Sequence, residues 1–425
     1  MTANWTRNIT TAALAISLFA GTAASGASAA EKPVSIVLDR VPLAASVPPI
    51  VYQGTTMVPF RAIAEALGIN VAYDAATKTV RATGKDAQGQ SKDVVLRVGQ
   101  NYATVNGAKE TLAVAPMTRS GSVLIPLAFF SRQFGALVDW NGAAKAVTIV
   151  SPQREMRLLG FYAISSFDQR DLIAGFNEVA FGWSQIDDNG VFTLKDANGS
   201  KWRWPDAAGD VTPESIVADA NAQGARSYLA VLAKDGKRQL TKVLTDKALR
   251  DDSISQLREL ALQNGFGGIL LDFEGLGWQD DPKQAQSQLN VYVKQLVETV
   301  AADGIKVSLA VPPPNSAYKG YDYAALAKMA DELVLMAYDY GTDAQRKQPQ
   351  PNNLVEQAIQ KTLEAGVKKE KLLLAVNVDA ENETSIGDKL GLAKRYGLGG
   401  AAVWRIGIVT NAEKAAIDAS IVKKG

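Results

Sequence analysis

From Arg157 onward the chain alternates short apolar runs with stretches whose apolar residues recur at helical spacing. The runs are RLLGFYA from Arg157, EVAFGWS from Glu178, RSYLAVLA from Arg226, GGILLDFE from Gly267, KVSLAVPP from Lys306, ELVLMAYDYG from Glu332, KLLLAVNVD from Lys371 and GAAVWRIG from Gly400. Between them lie segments such as DSISQLRELALQN and SQLNVYVKQLVETVAADG, which predict amphipathic helices. Continuous apolar strands imply a parallel sheet buried on both faces, and the helices supply the cover. Eight such units over about 270 residues fit an α/β architecture closed into a (β/α)8 TIM barrel. A doubly wound open sheet usually carries G-x-G-x-x-G after its first strand, and that signature is absent.

The first third has a different pattern, because it repeats itself. GTTMVPFRAIAEALGINVAYDAATKTV from Gly54 matches GSVLIPLAFFSRQFGALVDWNGAAKAV from Gly121 at a constant offset of 67 residues. Pro59 pairs with Pro126, Gly68 with Gly135, Tyr73 with Trp140, Lys78 with Lys145 and Val80 with Val147, while Pro49 and Pro116 extend the match upstream. Each copy predicts a strand, a short helix ending at a glycine, and a hairpin, so residues 31–150 are expected to form one small α+β domain. The polar stretch SPQREM from Ser151 marks the boundary, with residues 151–425 forming the barrel. V-P-x-R-A-I-A-E-A-L-G followed by its hairpin resembles the stalk domains of secreted bacterial proteins, similar to the copper amine oxidase N-terminal domain. The resemblance implies the fold and leaves three roles open: binding the cell wall, holding the barrel away from a surface, or stabilising it.

Residues 1–30 carry one early cation, Arg7, then the apolar run TAALAISLFAGTAA and the small-residue ending GASAA. That pattern predicts a cleaved secretory signal peptide, and hence a secreted or wall-associated bacterial protein with no membrane span after cleavage. The apolar run is interrupted and falls short of the roughly 20 residues that cross a bilayer. Lys plus Arg (45) almost cancels Asp plus Glu (44), so no bulk positive field recruits nucleic acid. The 425 residues include no histidine and no cysteine, which excludes Ser-His-Asp triads, thiol nucleophiles, disulfides and most zinc or copper sites. Proton transfer at moderate pH then falls to carboxylates, with Tyr or Lys available if strongly perturbed.

Two carboxylates stand out in GFGGILLDFEGLGW, Gly265 to Trp278, where an apolar strand ends in Asp272 and Glu274. Side chains alternate along a strand, so Leu270, Asp272 and Glu274 point to one face, with the two acids nearest the C-terminal mouth where barrel sites lie. Desolvation and mutual repulsion raise carboxyl pKa values, leaving one of the pair protonated as a general acid; Glu274, outermost and longer, suits that role. Such a pair can also simply solubilise a strand end. Met336, Tyr338 and Asp339 close the sixth run and Trp404 the eighth, at the same mouth, although aromatics there often only plug the core.

Together these residues resemble glycoside hydrolase family 18, the chitinase-like barrels. That family's strand-four pattern is D-G-x-D-x-D-x-E; Gly268, Asp272 and Glu274 match it, while Gly267 and Leu270 stand where the first two aspartates are expected. M-x-Y-D on strand six is complete in Met336, Tyr338 and Asp339, and Trp404 matches the strand-eight tryptophan. The resemblance implies substrate-assisted retaining hydrolysis of N-acetylglucosamine polysaccharide, chitin or peptidoglycan, without cofactor or metal. Glu274 would be the acid and then the base, Asp272 would orient the acetamide, and Tyr338 would donate to its oxygen. Asp339, Met336 and Trp404 would hold the sugar. The D-F-E form and V-W-R-I-G ending look more like bacterial spore and cell-wall members than chitin degraders. In the family the middle aspartate shares a proton with the catalytic one, which Leu270 cannot do, so a catalytically silent wall- or chitin-binding protein is the alternative. Trp183, Trp202, Trp204 and Trp278 are further candidates for stacking on sugars, two of the four at most.

Overall fold

The computed structural model describes residues 33–424 apart from 198 and 200, so the expected signal peptide lies outside the described residues. Eight strands form the barrel: β1 (Arg154–Tyr162), β2 (Glu178–Ile186), β3 (Arg226–Lys234), β4 (Gly268–Glu274), β5 (Lys306–Val311), β6 (Glu332–Leu335), β7 (Leu372–Asn377) and β8 (Gly400–Trp404). All pair in parallel in chain order, and β8 closes onto β1 with Leu158 opposite Ala401. The predicted (β/α)8 class therefore holds, with a β-rich domain preceding it. β1 starts earlier than its apolar run, at Arg154 and not Arg157, because Arg154–Met156 pairs with a late strand, Ile421–Lys423, and buries Met156.

The two-residue period of β4 sorts its side chains. Ile269, Leu271 and Phe273 pack into the helix layer, while Leu270 lies inside the barrel with Phe161, Ala230, Val334 and Leu373. Gly268 is required below Leu270, since a Cβ there would sit 2.4 Å from the Tyr228 ring. Met336, Tyr338 and Trp404 pack on top of this interior column. The column thus ends in the candidate site.

At the opposite end, the strand starts bury a polar cluster. Glu332 is fully buried; Ser308 Oγ donates to its Oε1 at 2.8 Å, and Arg157 pairs with its other oxygen. Arg157 and Arg226 flank Glu178 at 3.8 and 3.7 Å. Burial, reinforced by Glu332 and opposed by the arginines, pushes the Glu178 carboxyl up to about 7. A carboxyl raised on folding stabilises fully below its unfolded pKa, and that contribution is lost as pH rises through 7, a change on the order of 3 kcal/mol. Glu178→Gln is therefore expected to gain in melting temperature relative to the wild type between pH 5 and pH 8. A difference between the two proteins that does not change with pH would refute this.

In the N-terminal domain, Thr55–Pro59, Phe60–Ala66, Asn70–Asp74 and Thr79–Lys85 recur as Ser122–Pro126, Leu127–Gln133, Leu137–Asn141 and Ala146–Val150. Left-handed backbone recurs with them, at Gly68 and Gly135 (φ 70° and 76°) and at Lys78 and Lys145 (φ 53° and 49°). The first strands of the two copies pair antiparallel, with Val58 facing Ile125. Between the copies lies a meander, Ser91–Arg97, Tyr102–Val105 and Ala108–Thr111, which has no second copy and so left no trace in the repeat.

The domain rests on the barrel helix Glu383–Arg395. Arg395 donates to the carbonyls of Leu38, Val41 and Pro42 at 3.2, 2.9 and 3.1 Å, and Arg40 pairs with Asp388 at 2.7 Å. Gly391 permits the approach, since a Cβ there would lie 2.4 Å from Asp39 Cβ.

Candidate active site

The acids at the end of β4 have very different surroundings. Asp272 is 4% exposed and its Oδ1 has no hydrogen-bond partner among the described residues. Burial, then the neighbouring Glu274, holds its carboxyl well above the usual range, with Lys234 opposing. Glu274 is half-buried, and its Oε2 lies 3.7 Å from Lys234 Nζ at the end of β3. Its pKa is also raised, chiefly by burial and further by Asp339, against the pull of Lys234. Both carboxyls therefore favour the protonated state more than free acids do.

After β6 the chain leaves the sheet sooner than the apolar run suggested. Ala337 N donates to Leu335 O at 3.0 Å and Tyr338 N to Met336 O at 2.9 Å, two consecutive tight turns. Asp339 follows in left-handed backbone at φ 61°. These turns replace strand pairing and bring Tyr338 to the acids of β4. Burial, then Asp272, Glu274 and Asp339 in that order, holds the Tyr338 hydroxyl well above its ordinary pKa, so it remains a hydrogen-bond donor. Asp339 is itself raised by burial, against Arg346 and Lys234. Beyond the turn, Tyr340 N donates to Gln350 Oε1 at 3.0 Å and Gln350 N to Glu381 Oε1 at 3.0 Å, which ties this loop to the one after β7.

Trp404 ends β8 and lies against Trp202, ring centroids 6.0 Å apart and planes 11° from parallel, with Phe161 edge-on at 5.3 Å. Trp202 reaches this position over Gly182, where a Cβ would come 3.3 Å from its ring. The other candidate tryptophans separate clearly. Trp183 is fully buried and Trp204 packs edge-on to it at 5.4 Å, so both serve the core. Trp278 is 62% exposed beside Tyr318.

Nothing in the sequence alone singles out Lys234. It is a lone cation closing an apolar run, and only the β3–β4 register, which sets Lys234 opposite Glu274, gives it meaning. Lys234→Met removes the charge that opposes protonation of Glu274, so the basic limb of the pH–rate profile should move to higher pH. Activity recorded from pH 5 to 9 tests this, and an unmoved or downward-shifted limb would count against it.

A closed parallel barrel with two desolvated acids, a phenol and stacked indoles at one mouth has the make-up of a glycoside-hydrolase barrel. Residues 157–381 match the family Glycosyl hydrolases family 18, and the chain belongs to that family. Residues 37–149 match the Copper amine oxidase N-terminal domain. Nothing in the residues suits copper: histidine and cysteine are missing from the sequence, and among the described residues no cluster of acids could hold a metal. The cortical fragment-lytic enzyme of Bacillus subtilis is 29% identical over 105 residues, a stretch covering 23% of this chain and 23% of that protein. The spore cortex-lytic enzyme SleL of Bacillus cereus superposes with a TM-score of 0.50 at 16% identity, covering 65% of this chain and 77% of that one. A chitinase from Chromobacterium violaceum gives 0.50 at 20% identity, covering 62% and 98%. At these identities the structural likeness is one of fold.

Proposed function

We propose that this chain hydrolyses β-linked N-acetylglucosamine glycans by substrate-assisted catalysis, outside the cell and on the cell wall. The observation that carries the reading is the convergence of Asp272, Glu274 and Tyr338, with a protonated carboxyl favoured at the end of β4. Glu274 protonates the glycosidic oxygen as the C–O bond breaks, while the acetamide oxygen of the same sugar bonds to the anomeric carbon. Asp272 orients the acetamide and offsets the positive charge of the oxazolinium; Tyr338 donates to the acetamide oxygen. Glu274, now a carboxylate, takes a proton from the water that opens the oxazolinium, which restores both enzyme and acetamide. Asp339 and Met336 contact the sugar, and Trp404 forms its apolar floor. Names among the relatives favour wall glycan over chitin, and the residue 1–30 pattern favours export.

The test is release of reducing ends from purified peptidoglycan, from N-acetylglucosamine oligomers, and from fully de-acetylated glucosamine oligomers. Cleavage of either acetylated glycan with none of the third is expected. Equal cleavage of the third would overturn the acetamide's role. Leu270 favours a second reading, a glycan-binding protein that does not cut, because an apolar side chain beneath Asp272 leaves Oδ1 unpartnered. Binding to these glycans without any release would establish that reading instead.

A further inference from the structure

Between the N-terminal domain and the barrel lies a cavity of about 530 Å³, lined by Gly68 and Ala87 on one side and by Ser151, Arg154 and Lys394 on the other. We propose that it binds an oxyanion, a phosphate or carboxylate group, held by Arg154 and Lys394. The proposal is independent of whether the barrel cleaves glycans.

Lys394 is 6% exposed, yet its ammonium has only distant partners: the carbonyls of Ser151 and Pro152 at 3.5 Å each, and Asp39 Oδ2 at 3.8 Å. Charged N–H donors normally close to about 2.8 Å. Asp39 is already engaged, accepting from Ser151 N at 2.8 Å and Ser151 Oγ at 2.6 Å. Arg154, half-buried, makes one hydrogen bond among the described residues, from Nη1 to Lys394 O at 2.8 Å, and pairs with no carboxylate there. The two cations also disfavour each other: burial lowers the Lys394 pKa, Asp39 opposes this, and Arg154 adds to the lowering. Two desolvated cations sharing a cavity without a close counter-ion form an arrangement that an anion would complete.

The acids on the cavity wall do not fill that role. Asp86 accepts from Gln88 N and Gln90 N at 3.0 and 2.9 Å and pairs with Lys92 at 3.4 Å, while Glu155 is exposed. Lys85 adds a further positive charge to the lining. Because both domains contribute to the walls, an anion here would bridge them.

The experiment is thermal melting of the full chain against inorganic phosphate and against soluble poly(glycerol phosphate), each compared with sodium chloride at equal ionic strength. A saturable rise of several degrees is expected, as for a ligand that binds only the folded state. A response to the free ion assigns the site to small anions; a response to the polymer alone assigns it to a wall-type polymer. Arg154→Gln should abolish the rise. Ala87→Glu, at an exposed position, brings a competing carboxylate to the cavity and should abolish it too, whereas Ala87→Gln should keep it. A shift no larger than that from chloride, or one retained in Ala87→Glu, would overturn the proposal.

Discussion

Glu274→Gln is expected to lose about 100- to 10,000-fold in kcat on N-acetylglucosamine oligomers, the range for removing a positioned general acid–base. KM should change little. Glutamine keeps the shape and much of the hydrogen bonding of the side chain but has no transferable proton at its oxygen. The ion pair it disrupts, with Lys234, is on a side chain 61% exposed and contributes little to folding. The variant should therefore melt near the wild type at pH 4, where the carboxyl is protonated in both folded and unfolded chains, and no lower than it at higher pH, while binding glycan as the wild type does. Initial rates and binding isotherms measured side by side check this. A variant that keeps more than a tenth of wild-type kcat would show that the proton comes from elsewhere, and Asp272 or Asp339 would be the next acid to replace.

Asp272→Asn is expected to move activity and stability in opposite directions. Loss of a preorganised charge facing a developing cation typically costs about 100- to 1,000-fold in rate. Yet Asp272 is nearly inaccessible, its Oδ1 is unpartnered, and burial raises its carboxyl well above the usual range. A carboxyl raised on folding contributes fully below its unfolded pKa and loses that contribution as pH rises through the folded pKa. The neutral amide escapes this loss. The variant should melt higher than the wild type at pH 8 and near it at pH 4 while cutting far more slowly, the trade expected where a site is kept strained for function. Equal melting temperatures at pH 8 would mean that the Asp272 carboxylate is compensated in the fold.

The barrel strands were legible because burial on both faces leaves continuous apolar runs, and β4 through β8 begin within a residue of where those runs do. The sixth apolar run outlasts β6, because Met336–Tyr338 is as apolar as a strand and only its hydrogen bonds reveal the turns. The acids of β4 and the M-x-Y-D residues could be read from pattern and strand period. Lys234 and the Trp202–Trp404 stack could not, since both depend on inter-strand register and on a loop threading over Gly182. The base cluster was hidden for the same reason: Arg157, Glu178 and Glu332 each open a strand or sit near its start, and only closure of the barrel brings them together.

Val58 faces Ile125, which is its own counterpart in the second copy, across an antiparallel pair. Such a residue sits on a local two-fold axis, so the two halves meet there through the same patch used twice. That part of the N-terminal domain is a homodimer contact written into one polypeptide. The last strands of the two copies then find different partners: Thr79–Lys85 pairs antiparallel with the meander strand Ser91–Arg97, whereas Ala146–Val150 pairs in parallel with Ser35–Leu38.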